Sequence, residues 1–560
     1  MPTLNWLTRE QDLKAAANTE YRLLVEDENY SYGDPDSGNL IIQGDNLEAL
    51  KALLPFYAGQ VKCIYIDPPF NTGSRKNADG DDIGYDDNFE HSIWLSMMYP
   101  RIEMLRDLLR EDGVIFFHIN MEEQSYLKVI CDEIFGRKNY LQMITVKAAS
   151  TASFRAINLC PVTVTEYILM YAKNRSYYQE EMQYIPAEYS EDYGTFIKNI
   201  DKPTEEWDLI SLSDIAMNNL GYASWQEMKK TLGEAWKIVR KKEMERIAMQ
   251  NPNAIVSLNT LQKPAAYIQE IIEQSKEERG KVFEIKRENA NSIFCYNGRT
   301  LAFFSSKLRK IDNKLQPTNV LTNFWDDINY LSLGLEGGVD FANGKKPEAL
   351  LRRLFEICTQ KGDIVLDSFL GSGTTTAVAH KMERRYIGIE MAKHARTHII
   401  KRLEKVINGD KTGISEIVGW KGGGGFRFVT LGDAVFDKDR RIKEDISFEN
   451  LAAHIYFTET KKPMIKHKKN STFLGIHEGT AYALLYNGIL GDKSVNGGNV
   501  LTHKTLNRIM NDIDAAAKKN KAELEYNQLV IYGEATRLTY VSLEFNNIIF
   551  KQTPYDIKVW

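Results

Sequence analysis

Along residues 39–144, short apolar runs alternate with longer stretches in which leucine, isoleucine and methionine recur at helical spacing. Residues 39–42 predict a strand, Gly44-Asp45-Asn46 supplies turn and N-cap chemistry, and 47–54 predict a helix. Residues 61–66 form an almost unbroken apolar run, as expected of a strand buried on both faces, and stop abruptly at Asp67-Pro68-Pro69-Phe70. A helix is expected over 93–110, closed by Asp112-Gly113. A strand follows over 114–119, then a helix over 122–135 closed by Gly136. Strand and helix alternating with short connections predict a parallel α/β sheet.

That rhythm is lost between about 145 and 325. Val162-Thr163-Val164-Thr165 opens a strand expected over 162–171, because β-branched side chains suit a pleated surface. Beyond it the chain turns polar, aromatic and helical, with charged helices around 224–246 and 261–277, and this predicts an inserted domain. The alternation resumes at Lys346. Pro347 stands in the first turn of a helix reaching Thr359, and then come a strand (364–367), a turn (368–373), a helix (374–382), a strand (386–390) and a helix (393–407). Gly422 to Gly425 read as a hinge or linker. A small α/β unit is expected beyond Gly432, with strands at 481–486 and 529–532 and a helix at 501–517. The first thirty residues read as a polar lead-in helix. The expected organisation is therefore 1–38 lead-in, 39–144 first half of the sheet, 145–330 insert, 331–432 second half and 433–560 C-terminal domain.

A chain of 560 residues allows three to five domains at ~100–200 residues each. Its 43% hydrophobic and 26% charged residues are those of a globular protein and exclude a disordered one. The net charge of −5 taken alone argues against a nucleic-acid partner, but whole-chain charge is a weak guide to a single groove. Residues 1–28 hold no basic region followed by an apolar run, and no apolar stretch of about 18 residues could span a bilayer. Cys63, Cys131, Cys160, Cys295 and Cys358 lack CxxC spacing, which points to a reducing cytoplasm rather than a disulfide framework or zinc site. His91, His118 and His380 are too dispersed for a metal-ligand set, so no metal is expected.

Two constellations carry chemistry. In the first, the strand 364–367 feeds Ser368-Phe369-Leu370-Gly371-Ser372-Gly373, a helix opens at Thr374, and Glu390 ends the next strand. Glycines there let a ligand approach backbone closely, and a carboxylate one strand on can take ribose hydroxyls. A P-loop would need a lysine after Gly373, and a dinucleotide site a third glycine where Thr376 stands. An S-adenosylmethionine site and a tight turn in an unrelated α/β core remain. In the second, Asp67-Pro68-Pro69-Phe70 sits at the carboxyl end of a parallel strand, where open α/β sheets hold their ligands. Consecutive prolines leave no N–H and turn carbonyls outward as acceptors. Phe70 can stack on a planar ring while Asp67 and the Pro68 carbonyl accept hydrogens from its NH2 group. A proline-stiffened turn is the alternative reading.

Taken together, these segments resemble the β-group of amino-methylating DNA methyltransferases, and more narrowly the modification subunit of type III restriction–modification systems. The resemblance is carried by 39–50 (NLIIQGDNLEAL), 61–73 (VKCIYIDPPFNTG), Asp112 to Val114, 126–136 (YLKVICDEIFG) and 323–328 (NFWDDI). Further on, 346–353 (KPEALLRR), Asp367 to Thr376, 386–390 (YIGIE) and the glycines before Phe426 carry it too. Two departures stand out: Asp367-Ser368-Phe369 where the family has Asp-Pro-Phe, and His118 to Glu123 where it often has a paired-acidic turn.

The resemblance implies a Rossmann-like, S-adenosylmethionine-dependent methyltransferase with a mixed sheet. An inserted target-recognition domain would split that sheet, and the small C-terminal α/β domain would serve partner binding or dimerisation. It implies transfer to N6 of a flipped adenine in double-stranded DNA, with Asp67, Pro68, Pro69 and Phe70 catalytic. Asp367, Phe369, Gly371, Gly373, Thr374, Glu390 and Lys346 would bind the cofactor, and Asn71 and Thr72 would line the pocket or form its turn. A homodimer and a helicase–nuclease restriction subunit are the implied partners. The alternatives are an orphan or cytosine-N4 enzyme, or a chain acting mainly as recognition subunit for the nuclease; an RNA or protein acceptor is disfavoured by the large insert. Basic groups able to meet phosphates are Lys229, Lys230, Lys237, Arg240, Lys241 and Lys242; Lys307, Arg309 and Lys310; and Lys461, Lys462, Lys466, Lys468 and Lys469. Solvated helix faces are the other fate of such runs.

Overall fold

A computed structural model describes the chain apart from residues 1–2, 73–89, 150–160, 288–289, 331–332, 340, 342–343, 437–441, 444–445, 465–470, 487–497, 521–524, 546, 554–556 and 558–560. Gly73, Cys160, Lys466, Lys468 and Lys469 thus lie outside the described residues. Two compact units result, Met1–Glu181 with Thr322–Trp560, and Met182–Leu321.

The first unit is built on an eleven-stranded sheet. Its strands are β1 (Arg22–Glu26), β2 (Leu40–Gln43), β3 (Val61–Ile66), β4 (Leu109–Ile119), β5 (Tyr140–Lys147), β6 (Thr165–Ala172), β7 (Phe324–Trp325), β8 (Ile364–Asp367), β9 (Arg385–Glu390) and β10 (Gly425–Ala434), with the two-residue Tyr32–Gly33 strand pairing β10. The order is β1-β10-β2-β9-β8-β3-β4-β6-β5-β7. From β10 through β4 every pairing is parallel; β6 pairs antiparallel with both β4 and β5, and β1 antiparallel with β10. The helices are α1 (Asn46–Tyr57), α2 (His91–Leu108), α3 (Gln124–Cys131), α4 (Glu348–Cys358), α5 (Thr374–Lys381) and α6 (Ile400–Ile407).

The apolar run of β3 is buried at every position, as its composition requires. Asp45 caps α1, its Oδ1 accepting the Leu47 and Glu48 N–H groups at 2.8 and 3.2 Å. Gly136 and Gly373 both take positive φ, where a glycine costs least. The helices expected over 122–135 and 393–407 each contain a wide π-type turn, Asp132–Gly136 and Ala395–Ile399.

Three expectations about organisation change. The lead-in is two single turns, Arg9–Asp12 and Ala15–Asn18, followed by edge strand β1, because Trp6 and Ala16 are drawn into the core and Leu24 pairs with Leu431. Gly422 to Gly425 are not a linker: Gly425 opens β10, and a Cβ on it would sit 2.1 Å from the Asp34 nitrogen, so only glycine permits that close approach. The separate unit begins at Met182 rather than 145, since β5 and β6 spend their backbone hydrogen bonds in the main sheet. Beyond 433 the chain stays joined to the rest of the unit, since Tyr21 and Ala52 share one apolar cluster with Val435, Leu451, Tyr482 and Tyr532. The C-terminal part has its own four-stranded sheet, ordered Phe473–His477, Thr480–Leu484, Gln528–Gly533, Ile548–Gln552, with helices Phe448–Thr460 and His503–Asn520.

The second unit contains a six-stranded antiparallel sheet and helices Leu212–Asn219, Trp225–Leu232, Trp236–Gln250 and Ala266–Glu277. No helix among the described residues is long and apolar enough to cross a membrane.

Candidate active site

Strands β3 and β8 are neighbours, paired in parallel at Cys63↔Val365 and Ile64↔Leu366. From β3 the sheet next runs to β4, and from β8 to β9, on opposite sides of this pair. That is a topological switch point, where the loops beyond two adjacent strand ends part and leave a crevice. Asp67 follows β3 and Asp367 ends β8, so groups 300 positions apart in sequence open onto one crevice.

The loop after β8 is organised by its own carboxylates. Asp367 Oδ1 accepts the Phe369 N–H at 2.9 Å and its Oδ2 the Thr375 hydroxyl at 2.6 Å. Glu390, at the end of β9, accepts the Gly371 N–H at 2.8 Å through Oε2 and the Ala392 N–H at 2.9 Å through Oε1, with His394 Nε2 3.2 Å away. Asn46 donates to the Ser368 carbonyl at 2.8 Å, and Arg402 donates to the Thr374 hydroxyl at 2.7 Å from beneath the turn. A Cβ on Gly371 would find nothing nearer than 4.0 Å, so this glycine leaves open space beside the loop. Ser368 Oγ is buried without a hydrogen-bond partner among the described residues.

Burial pushes the Asp367 carboxyl up to about 7, against the pull of its Thr375 and Phe369 hydrogen bonds. A carboxyl whose folded pKa is raised stabilises fully at low pH and loses that contribution as pH climbs from about 4 to about 7. At about 1.4 kcal/mol per pKa unit the loss is on the order of 4 kcal/mol. Asp367→Asn keeps the shape and does not titrate: its oxygen can accept the Phe369 N–H, and its NH2 can donate to the Thr375 hydroxyl oxygen once that hydroxyl turns. Thermal melts are expected to place this variant above the wild type at pH 8 but not at pH 5; equal differences at both values would contradict the assignment.

The Asp67 loop is held from several sides. Trp94 Nε1 on α2 donates to the Pro69 carbonyl at 2.8 Å. Asn71 takes φ +59° and donates to the fully buried Glu123 at 2.6 Å, a carboxylate also 2.8 Å from His91. Lys346, which the resemblance groups with the cofactor residues, lies 3.4 Å from Asp67 Oδ1, 3.2 Å from Glu166 Oε2 and 4.6 Å above the Phe70 ring. Burial raises the Asp67 carboxyl, opposed by Lys346 and His118. Lys346 is itself raised: burial works against its charge, but Asp67 and Glu166 outweigh it. Asn46, Glu123, Glu166 and Arg402 were not singled out from the sequence. Only the Asp45-Asn46 cap, next to a strand end, offered a local signal.

The basic candidates divide by unit. In the second unit Arg240 pairs with Glu191, and Lys241 with Glu188 at 2.7 Å, so these two side chains are already engaged. Lys229, Lys237 and Arg240 surround the Trp236 ring at 4.7, 5.9 and 5.1 Å, while Lys230 and Lys242 are exposed and not ion-paired among the described residues. Arg309 lies 4.7 Å from the Tyr184 ring and donates to the Ser306 and Leu308 carbonyls, and Lys307 and Lys310 are exposed. In the first unit Lys461 closes helix 448–460 in a left-handed conformation, followed by the exposed Lys462. No metal-ligand cluster occurs among the described residues.

Residues 61–284 and 290–402 match a family model described as DNA methylase, of the N6/N4 methyltransferase type. The probable type III restriction-modification enzyme HindVI Mod subunit of Haemophilus influenzae is 37% identical over 420 residues, 72% of this chain and 55% of that protein. The type III EcoPI Mod subunit of Escherichia phage P1 is 28% identical over 421 residues, 68% of this chain and 61% of that protein. The chain spans about half the length of the curated relatives it matches. Among solved structures, the cytosine-N4-specific PvuII DNA methyltransferase is 12% identical, covering 72% of this chain and 97% of its own, at a TM-score of 0.32.

Proposed function

The chain belongs to the N6/N4 family of DNA methylases, and on that premise we propose that it transfers a methyl group from S-adenosylmethionine to the exocyclic N6 of adenine in duplex DNA. The observation that carries this reading is the convergence of the Asp67 and Gly371 loops at one switch point. The cofactor supplies an electrophilic sulfonium methyl group. Gly371 leaves room for its approach, while Ser368 Oγ and Glu390, together with backbone fixed by Asp367, Asn46 and Arg402, offer it polar partners. Phe369, Gly373, Thr374 and Lys346 complete the set proposed to border it.

A duplex hides the adenine amine, so the base is flipped out at a cost of a few kcal/mol and stacks on Phe70. The amine lone pair is delocalised into the ring. Hydrogen bonds to Asp67 and the Pro68 carbonyl draw the nitrogen towards tetrahedral geometry and stabilise the positive charge that develops on it. Pro69 stiffens the turn that aims both acceptors, with Trp94 anchoring it. The rest of the acceleration is positioning. The second unit would read the target sequence and its basic side chains would meet phosphates.

Adenine is favoured over cytosine N4 because Asp67, rather than a serine, opens the Pro-Pro motif, the choice that the family resemblance links to adenine. The relatives named as Mod subunits of type III restriction-modification enzymes support a role as modification subunit; target recognition, a helicase–nuclease partner and a second copy of the chain are proposed from the family resemblance. Mapping modified bases by mass spectrometry in DNA treated with the purified protein tests the reading. N6-methyladenine at one short sequence is expected; N4-methylcytosine would change the base, and unmodified DNA would refute the activity.

A further inference from the structure

Beyond the two loops, a line of polar groups runs inward from Asp67. Lys346 Nζ stands between Asp67 Oδ1 at 3.4 Å and Glu166 Oε2 at 3.2 Å. The same Glu166 oxygen is 2.7 Å from His118 Nε2, and His118 Nδ1 is 2.7 Å from the Tyr65 hydroxyl. Tyr65 lies on β3, His118 on β4 and Glu166 on β6, so three strands of one sheet and the lead into α4 supply the line. The His118 side chain is fully buried, and those of Lys346 and Glu166 are only 9% and 22% exposed. Tyr330 and Asp367 are the further titratable groups that bear on it.

Burial opposes the Glu166 carboxylate, but Lys346 and His118 hold it well below the usual range, so it stays ionised at neutral pH. His118 Nε2 faces Glu166 at 2.7 Å, and its Nδ1 faces the Tyr65 hydroxyl at 2.7 Å. Two carboxylates thus share the one ammonium of Lys346. With Asp67 alone, Lys346 would close a neutral ion pair and occupy the lone pairs that the amine needs.

We propose that Glu166 is a positioning residue for methyl transfer: it draws Lys346 between two carboxylates, leaving the Asp67 lone pairs open to the amine, while His118 and Tyr65 hold Glu166 in place. This rests on Asp67 being the amine acceptor. The arrangement leaves an Asp67 oxygen, in a mostly dry site, facing a nitrogen that becomes positive, where a fixed acceptor acts most strongly.

The test uses the full chain, labelled S-adenosylmethionine and unmethylated whole-genome-amplified DNA, with kcat, KM and the pH profile measured for four variants. Glu166→Gln is expected to lower kcat about tenfold or more, leave KM for the cofactor within about twofold, and move the acidic limb of the profile to lower pH. Lys346→Met is expected to move that limb the other way, because Asp67 and Glu166 then face each other unshielded. Glu166→Asp is expected to recover part of the rate. A wild-type kcat and profile in Glu166→Gln would overturn the proposal. So would a loss of rate with an unmoved acidic limb and no recovery by aspartate, the result of a purely structural role. Should Glu166→Gln fail to fold, an unmoved limb in Lys346→Met overturns it and an upward shift supports it. Asp67→Asn is run alongside: if that variant keeps its rate, the acceptor assignment fails rather than the role of Glu166.

Discussion

Asp67→Asn is expected to lower methyl transfer at least about a hundredfold while leaving the protein folded and able to bind cofactor. Removing one preorganised group that stabilises developing transition-state charge costs about 10²–10³ in rate, and here the lost group also carries a full charge. Asparagine keeps the volume, but it offers one acceptor where the carboxylate offers two and has an NH2 group that can face the amine. The fold should tolerate the change. Lys346 retains Glu166 at 3.2 Å, and the Asp67 side chain, 18% exposed, is not deeply packed. Single-turnover transfer of labelled methyl groups measures the rate, and a thermal melt with a cofactor titration checks the rest. A rate within a few-fold of wild type would remove Asp67 from the chemistry and the proposed mechanism with it.

Glu348→Ala is expected to cost about 3–5 kcal/mol of stability, the usual effect of breaking a buried ion pair by deleting one partner. Glu348 on α4 has no exposed surface. Its oxygens accept from Lys381 at 2.9 and 3.2 Å, from Arg402 at 3.0 Å and from the Ile414 N–H at 3.1 Å. Asp410, 2.7 Å from Lys381, answers one cation, but Arg402 would keep no ion-paired carboxylate among the described residues. Arg402 also carries the Thr374 hydroxyl and the Ser372 carbonyl, so its movement should reach the glycine turn. Urea unfolding would register the stability loss, and calorimetric titration with S-adenosylmethionine an accompanying fall in affinity. Unchanged stability would mean that water or a rotated side chain satisfies the arginine.

Local order was legible in the chain wherever the cause was local. The run Val61 to Ile66 could only be a doubly buried strand, and two prolines had to end it. Asp45 announced the start of α1, and the glycines at 371 and 373 announced a turn whose positive φ values other residues resist. Composition misled where a residue type has two uses. Four glycines read as a flexible joint, yet they let Gly33 and Gly425 lie almost in contact and continue into a paired strand. A polar N-terminus read as helix became an edge strand, because β10 offered an unpaired row of backbone groups.

The order of residues alone specified which groups are chemically able: a carboxylate and two carbonyls on a proline turn, an aromatic ring after them, and a glycine turn backed by acids. It determined too that each lies at a strand end, because hydrophobic runs, caps and breakers act across a few residues. Which group stands beside which was settled by the folded sheet. The pairing of β3 with β8 set Asp67 and Asp367 at one crevice, β6 brought Glu166 to Lys346, and α6 carried Arg402 beneath the turn. Such neighbours are chosen by sheet order and register between segments hundreds of residues apart, and no periodicity within either segment records them.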